Sequence, residues 1–201
     1  MRGARGGVRM SSNAPIPPLV RTTQVAWPQE SAFWRFTQDF GAWWPIRTHS
    51  VGGAKTRSAV FEGRVGGTIH EIFHDGGRSI WGTVLVWDPP RRVVFTWHPS
   101  RPPETAGEVE IRFEPADTRS TYPRFADARI AATTPPDDGP VTGTRVVLVH
   151  SHWERCGDGA RRMRRGYGLG WRYVLDVWAG RRTFTVLALD AITALVRVFK
   201  R

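Results

Sequence analysis

Lysine is almost missing from this chain. Of 29 basic residues, only Lys55 and Lys200 are lysines, so the formal net charge of +11 is carried by arginine. No zinc-finger, RNP-type or basic-zipper pattern accompanies that charge, which reads as a solvated basic surface rather than a nucleic-acid footprint. Nucleic acid is therefore not an expected partner. Cysteine is scarcer still. Cys156 stands alone, which excludes an intrachain disulfide and leaves the cytoplasm as the default compartment. No apolar run is long enough to span a bilayer. The basic residues 1–10 have no apolar segment behind them and do not read as a secretory signal. Gly-x-Gly-x-x-Gly, Walker and Gly-x-Ser-x-Gly arrangements are absent, so nothing points to a nucleotide cofactor or a serine nucleophile. His150 and His152 share a strand face, as do His70 and His74, but no carboxylate or cysteine at matching spacing completes a metal site. Neither metal nor cofactor is expected.

Tryptophan, by contrast, is abundant, with ten in 201 residues. Each brings a large apolar ring and an N–H that wants a partner when buried. Between residues 60 and 98 the chain shows strand grammar throughout. Apolar and polar residues alternate over residues 68–73, 81–87 and 93–97, rich in β-branched and aromatic types. Gly66-Gly67 and Gly76-Gly77 suit tight reversals, and Pro89-Pro90 cannot continue a ladder and turns a corner. Links this short permit only antiparallel neighbours, because a parallel pair needs a crossover of about a dozen residues. The stretch is a three-stranded meander.

The rest falls into place around it. Residues 1–18 are Gly/Arg- and then Pro-rich, a disordered lead-in. Residues 19–27 alternate weakly, a first strand. Pro28 and Glu30 suit a helix start, Phe33, Phe36 and Phe40 recur at helical spacing, and Gly41 closes that helix. Residues 108–113 and 144–152 read as two further strands, separated by turn-rich residues 116–143, a flexible insertion or flap. Asp158 is placed to cap a long helix whose apolar stripe is Tyr167, Trp171, Val174, Leu175 and Trp178. Gly166, Gly168 and Gly170 weaken its first half and allow close approach of backbone or ligand. Residues 181–201 form an additional amphipathic helix with basic ends. It suits docking on the domain or pairing in a homodimer better than a membrane surface.

The order strand, helix, meander, two strands, long C-terminal helix is the α+β helix-grip plan, a curved antiparallel sheet wrapped around the last long helix. Particular residues sharpen it: Trp43-Trp44-Pro45, Arg64-Val65-Gly66-Gly67, Trp81-Gly82-Thr83-Val84, Asp88-Pro89-Pro90-Arg91-Arg92, Phe95-Thr96-Trp97, Gly143-Thr144-Arg145-Val146 and Gly170-Trp171. With these the stretch 19–180 resembles the SRPBCC superfamily of START, Bet v 1 and polyketide cyclase domains. Within it, the chain is most similar to the AHSA1-like branch, the C-terminal domain of the Hsp90 ATPase activator. The resemblance implies an elongated cavity between sheet and main helix. It does not choose a function, since the superfamily hosts carriers, receptors, cyclases and co-chaperones.

The first reading is a binding module for a small hydrophobic or aromatic ligand. Trp43, Trp44, Trp81, Trp97, Trp153 and Trp171 would grip it, and His49, Glu62, Glu71 and His150 would supply polar contacts. No catalytic residue is assigned on this reading. A cyclase or hydrolase using the same cavity, with Glu71 or His150 as base, is the second. A buried carboxylate and imidazole would then have shifted pKa values, but the same groups equally serve as satisfied hydrogen-bond partners. The third is an interaction module of Hsp90-activator type working through the outer face and the basic tail. Cys156, beside Arg155 in a loop, reads as incidental.

Overall fold

The computed structural model describes residues 15–117 and 142–181, together with residue 186. Seven strands occupy Leu19–Val25 (β1), Thr56–Phe61 (β2), Thr68–Phe73 (β3), Arg78–Asp88 (β4), Arg92–Trp97 (β5), Gly107–Asp117 (β6) and Thr142–Ser151 (β7). They form one antiparallel sheet in the order β1-β7-β6-β5-β4-β3-β2. From β2 to β7 every ladder joins sequence neighbours, and β1 then pairs with β7 from Leu19 opposite His150 to Val25 opposite Thr144. The sheet curls into a half-barrel, and the long helix α4 (Ala160–Trp178) lies along it. This is the expected α+β helix-grip architecture.

Helix α4 buries Trp171, Val174, Leu175 and Trp178, an i, i+3, i+4, i+7 stripe that only a helical period brings to one face. Burying an apolar side chain of this size stabilises by roughly 1.5–3 kcal/mol, so the stripe fixes the helix on the sheet. Arginine side chains tie the same helix to β1 and the segment before it. Arg21 Nε donates to Gly168 O at 3.0 Å, and Arg164 Nη2 donates to Pro18 O at 2.9 Å. Beyond the C-terminal end of α4, Arg181 donates to Gln24 O.

The meander has four strands rather than three. The extra one, β2, was hidden because its burial does not alternate. Thr56, Ala59 and Phe61 face inward, and a register shift between Thr56 and Ser58 inserts the residue that breaks the period. The first helix is also shorter than its apolar spacing suggests. α1 spans Gln29–Thr37 and a separate turn, α2, spans Phe40–Trp43. Gly41 lies inside α2 rather than ending α1. A Cβ there would meet Ala59 O at 2.7 Å, so its lack of a side chain lets α2 sit against β2. A third short helix, α3 (Ile46–His49), follows.

Asp158 does not cap α4. It sits in a 3-10 stretch, Trp153–Gly159, that kinks at Gly157 (φ 67°, ψ −152°), and the capping position falls on Gly159. The kink uses a conformation open to glycine, and it sets the helix start two residues beyond Asp158. β6 and β7 run further than their apolar cores, pairing out to Asp117 opposite Thr142. The lead-in, apart from residues 15–18, and residues 118–141 lie outside the described residues. So does the additional C-terminal helix, apart from Arg181 and from Val186, which is helical and buried in the core.

Candidate functional site

Where α2 and α3 face α4, the interior opens into a cleft of two joined chambers. The inner chamber has a volume of about 160 Å³ and is walled by Trp44, Trp97 and Trp171, with Pro99 and Val174. The outer chamber, about 560 Å³, is bordered by Gly159, Arg162, Met163 and Gly166. His49, Tyr167 and Gly170 line both.

Each wall has a local cause. Trp44 sits at the C-terminal end of α2, where the following Pro45 stops the helix. Its ring packs on Trp81 (5.2 Å between centroids) and Trp97 (5.9 Å). Trp97 ends β5 and meets Trp171 of α4 at 5.3 Å. Trp44 Nε1 and Trp97 Nε1 are both buried without a hydrogen-bond partner. Trp97 Nε1 lies close enough to the Tyr167 hydroxyl to favour its ionised form, yet outside hydrogen-bond geometry. Burial outweighs that influence and raises the Tyr167 phenol above its ordinary pKa.

His49, in α3, faces the open space of both chambers. Its ring stacks on Tyr173 at 4.8 Å, with 12° between the planes. Nδ1 lies 2.9 Å from Thr48 Oγ1, and that hydroxyl donates to Pro45 O at 3.2 Å. The same hydroxyl also reaches Tyr173 Oη at 3.4 Å. A Cβ on Gly170 would stand 3.6 Å from Nε2, so this nitrogen looks across the cleft at bare helix backbone. Burial pulls the His49 pKa down to about 4. The ring is neutral at physiological pH.

The remaining sequence candidates lie elsewhere. Glu71 is fully buried on β3, where it accepts from Thr56 Oγ1 (2.6 Å), Gly52 N (3.1 Å) and Trp81 Nε1 (3.4 Å). It pins the loop before β2 and orients Trp81, itself fully buried. Glu62 sits in the β2–β3 connection. It accepts from Thr68 N at 2.8 Å and lies 3.4 Å from Arg64. The Thr68 amide, rather than Arg64, is the main reason its pKa is lowered.

His150 is fully buried on β7 and accepts from Trp171 Nε1 at 3.0 Å through Nδ1. Its Nε2 has no partner and abuts Gly107, where a Cβ would come within 2.5 Å. Burial, with the Arg101 charge as a second cause, lowers its pKa to about 3. Trp153 is a buried plug against the His150 ring, and its Nε1 donates to His150 O at 2.9 Å. Trp43 turns toward α1 and donates to Phe36 O at 3.1 Å. Cys156 meets Arg101, not Arg155. Arg101 Nη1 lies 3.0 Å from its sulfur and 2.8 Å from Thr105 O.

The structure thus brings Trp44, His49, Trp97 and Trp171 to one cleft. Gly166 and Gly170, marked in the sequence for close approach of backbone or ligand, join them there, as do Tyr167, Arg162 and Met163, which were not singled out as contacts. A signal for the glycines existed in their spacing along α4, since residues 166 and 170 are one turn apart and share a face. Among the described residues no group of His, Cys, Asp and Glu side chains is arranged to hold a metal ion, and no helix is long and apolar enough to cross a membrane.

A half-barrel closed by one long helix over an aromatic cleft defines a helix-grip domain. Residues 26–177 match the family described as activator of Hsp90 ATPase homolog 1-like protein, and the chain belongs to that family. Among solved structures it is similar to an anthrahydroquino-gamma-pyrone synthase, Txn09, complexed with SUM. The identity is 30%, over 77% of this chain and 88% of that one, with a TM-score of 0.45. It is also similar to the Aha1 dimer of Colwellia psychrerythraea, at 17% identity over 84% of this chain and 100% of that one, TM-score 0.47. A third is PFC0360w, an HSP90 activator from Plasmodium falciparum, at 16% identity over 82% and 97%, TM-score 0.45. No curated protein matches the chain significantly.

Proposed function

We propose that this chain is a cytoplasmic binding protein for a small aromatic molecule, held in the cleft between sheet and α4. The observation that carries the reading is the inner chamber. Trp44, Trp97 and Trp171 wall a space of about 160 Å³, with Pro99 and Val174 completing its apolar lining. An aromatic ligand there would bury its ring against indole faces on several sides. The 30% identical neighbour named as a pyrone synthase is consistent with an oxygenated aromatic ligand.

Glu71 and His150 do not line either chamber, which weakens the reading in which one of them is a catalytic base. The test is intrinsic tryptophan fluorescence during titration with a panel of oxygenated aromatics and aliphatic lipids, repeated on Trp44→Leu and Trp97→Leu. Saturable quenching by aromatics, weakened in both variants, supports the proposal. Equal response to every compound, or none to any, sinks it.

A further inference from the structure

We infer that the ligand of this cleft is an aromatic acid, its ring in the inner chamber and its anionic group at the mouth against Arg162. The inference rests on the binding role proposed above and adds the chemical class. Its first support is the distribution of charge. Nothing on the inner wall carries formal charge, since His49 is held neutral by burial. An ionised group placed there would lose its hydration without a partner. In the outer chamber one formal charge appears, the exposed guanidinium of Arg162. A ligand spanning both chambers meets apolar rings at one end and a cation at the other.

The second support is size. A cavity of about 160 Å³ is close to the ~150 Å³ apolar cavity known to accept benzene, so it holds about one ring. Everything further along the ligand must lie in the outer chamber. Glycine keeps that route open. A Cβ at Gly166 would meet nothing within 4 Å, and one at Gly170 would stand 3.6 Å from His49 Nε2. With residues 166 and 170 on one helix face, α4 offers a bare groove leading from the rings to Arg162, one turn before Gly166. A methyl at 166 displaces no neighbour, and a longer side chain there would take up space at the mouth of the cleft that Gly166 leaves open.

The experiment compares biphenyl-4-carboxylate with its uncharged amide by calorimetry at low and high salt. The full chain is used, alongside Arg162→Met, Arg165→Met and Gly166→Leu. Arg165 is an exposed arginine of the same helix that lines neither chamber, so its loss makes the same change in net charge. The inference expects the acid to bind about fivefold tighter than the amide at low salt, the upper end for one exposed charge pair. That preference should fall to about onefold in Arg162→Met or at high salt and persist in Arg165→Met. Gly166→Leu should weaken both ligands while leaving the fold intact. Equal binding of acid and amide by the native chain overturns the inference yet leaves the aromatic cleft standing. Equal loss of preference in the two arginine variants overturns it in favour of diffuse charge. Failure of both ligands to bind overturns the binding role itself.

Discussion

Lowering the pH from 7 to 5 should weaken this fold through His150, by an amount its surroundings set. The ring is fully buried, Nδ1 accepts from Trp171 Nε1, and Nε2 rests against the Gly107 backbone with no acceptor in reach. Because Nδ1 accepts, Nε2 already carries the one N–H of the neutral ring. A second proton would enter on Nδ1, break the Trp171 bond and leave a buried charge near the Arg101 guanidinium, hence a folded-state pKa of about 3 against an ordinary 6.5. In the unfolded chain the same ring titrates near 6.5. Below that value the unfolded state binds a proton that the native state refuses, so stability falls as pH falls. With each pKa unit worth about 1.4 kcal/mol, the linkage removes about 2 kcal/mol between pH 7 and pH 5. The loss reaches about 4 kcal/mol by pH 3, where the native ring begins to take up the proton as well.

Urea unfolding of the native chain and of His150→Phe at pH 7, 6 and 5 isolates this contribution, because the other titrating groups are common to both. At pH 7 the variant should be less stable, since Trp171 loses its acceptor at a cost of about 1–2 kcal/mol. By pH 5 the difference should have closed or reversed, the native chain having lost about 2 kcal/mol more. Parallel pH profiles would refute the argument. They would show that the imidazole is either protonated in the fold or hydrated through an opening the packing does not reveal.

Three other perturbations test neighbouring parts of the same reasoning. Glu71→Ala should destabilise by about 3 kcal/mol or more in urea, because Thr56, Gly52 and Trp81 all lose their carboxyl acceptor inside the core; a loss under about 1 kcal/mol would mean these donors find water. Gly41→Ala should cost about 1–3 kcal/mol, since its methyl would press on Ala59 O at 2.7 Å, and an unchanged melting temperature would show that α2 shifts freely over β2. Gly166→Ala should act in the opposite sense. It gains up to about 1 kcal/mol of helix propensity with open space around the new methyl, read as a rise in melting temperature of about 2–4 °C.

The architecture was legible in the sequence wherever the side-chain period was regular. β6 reads directly from its alternation, with Val109, Ile111 and Phe113 buried and Glu108, Glu110 and Arg112 between them, and the stripe of α4 alone places that helix on the sheet. The misses share a physical form. β2 has an inserted residue between Thr56 and Ser58, and a bulge flips the face on which every later side chain falls. Asp158 has the right chemistry for a helix cap but follows Gly157, whose backbone redirects the chain first. For the site, residue type was a poor guide to location. Ten tryptophans share one chemistry, yet Trp81 and Trp153 are sealed in the core while Trp44, Trp97 and Trp171 border open space. Nothing local distinguishes the two groups, because the difference lies in which elements meet in front of each ring.

What separates a plugged interior from an open one is the side chains that are missing opposite the rings. Ten indoles and ten phenylalanines are enough to fill the half-barrel, and over α1 they do. Phe33, Phe36, Phe113 and Trp178 form continuous edge-to-face contacts within about 6.5 Å. Toward the N-terminal half of α4 the helix presents Gly166 and Gly170 on the face where residues 174 and 178 present valine and tryptophan. α3 still packs on α4 through the His49–Tyr173 stack, but the Nε2 edge of His49 is left facing glycine backbone. Glycine inside a helix costs up to about 1 kcal/mol each, so keeping two of them one turn apart weakens the helix where packing gains nothing in return. The open cleft is what that cost secures. Filling position 166 should therefore make the chain more stable and less able to bind, a pair of opposed changes that a purely structural role for these glycines does not produce.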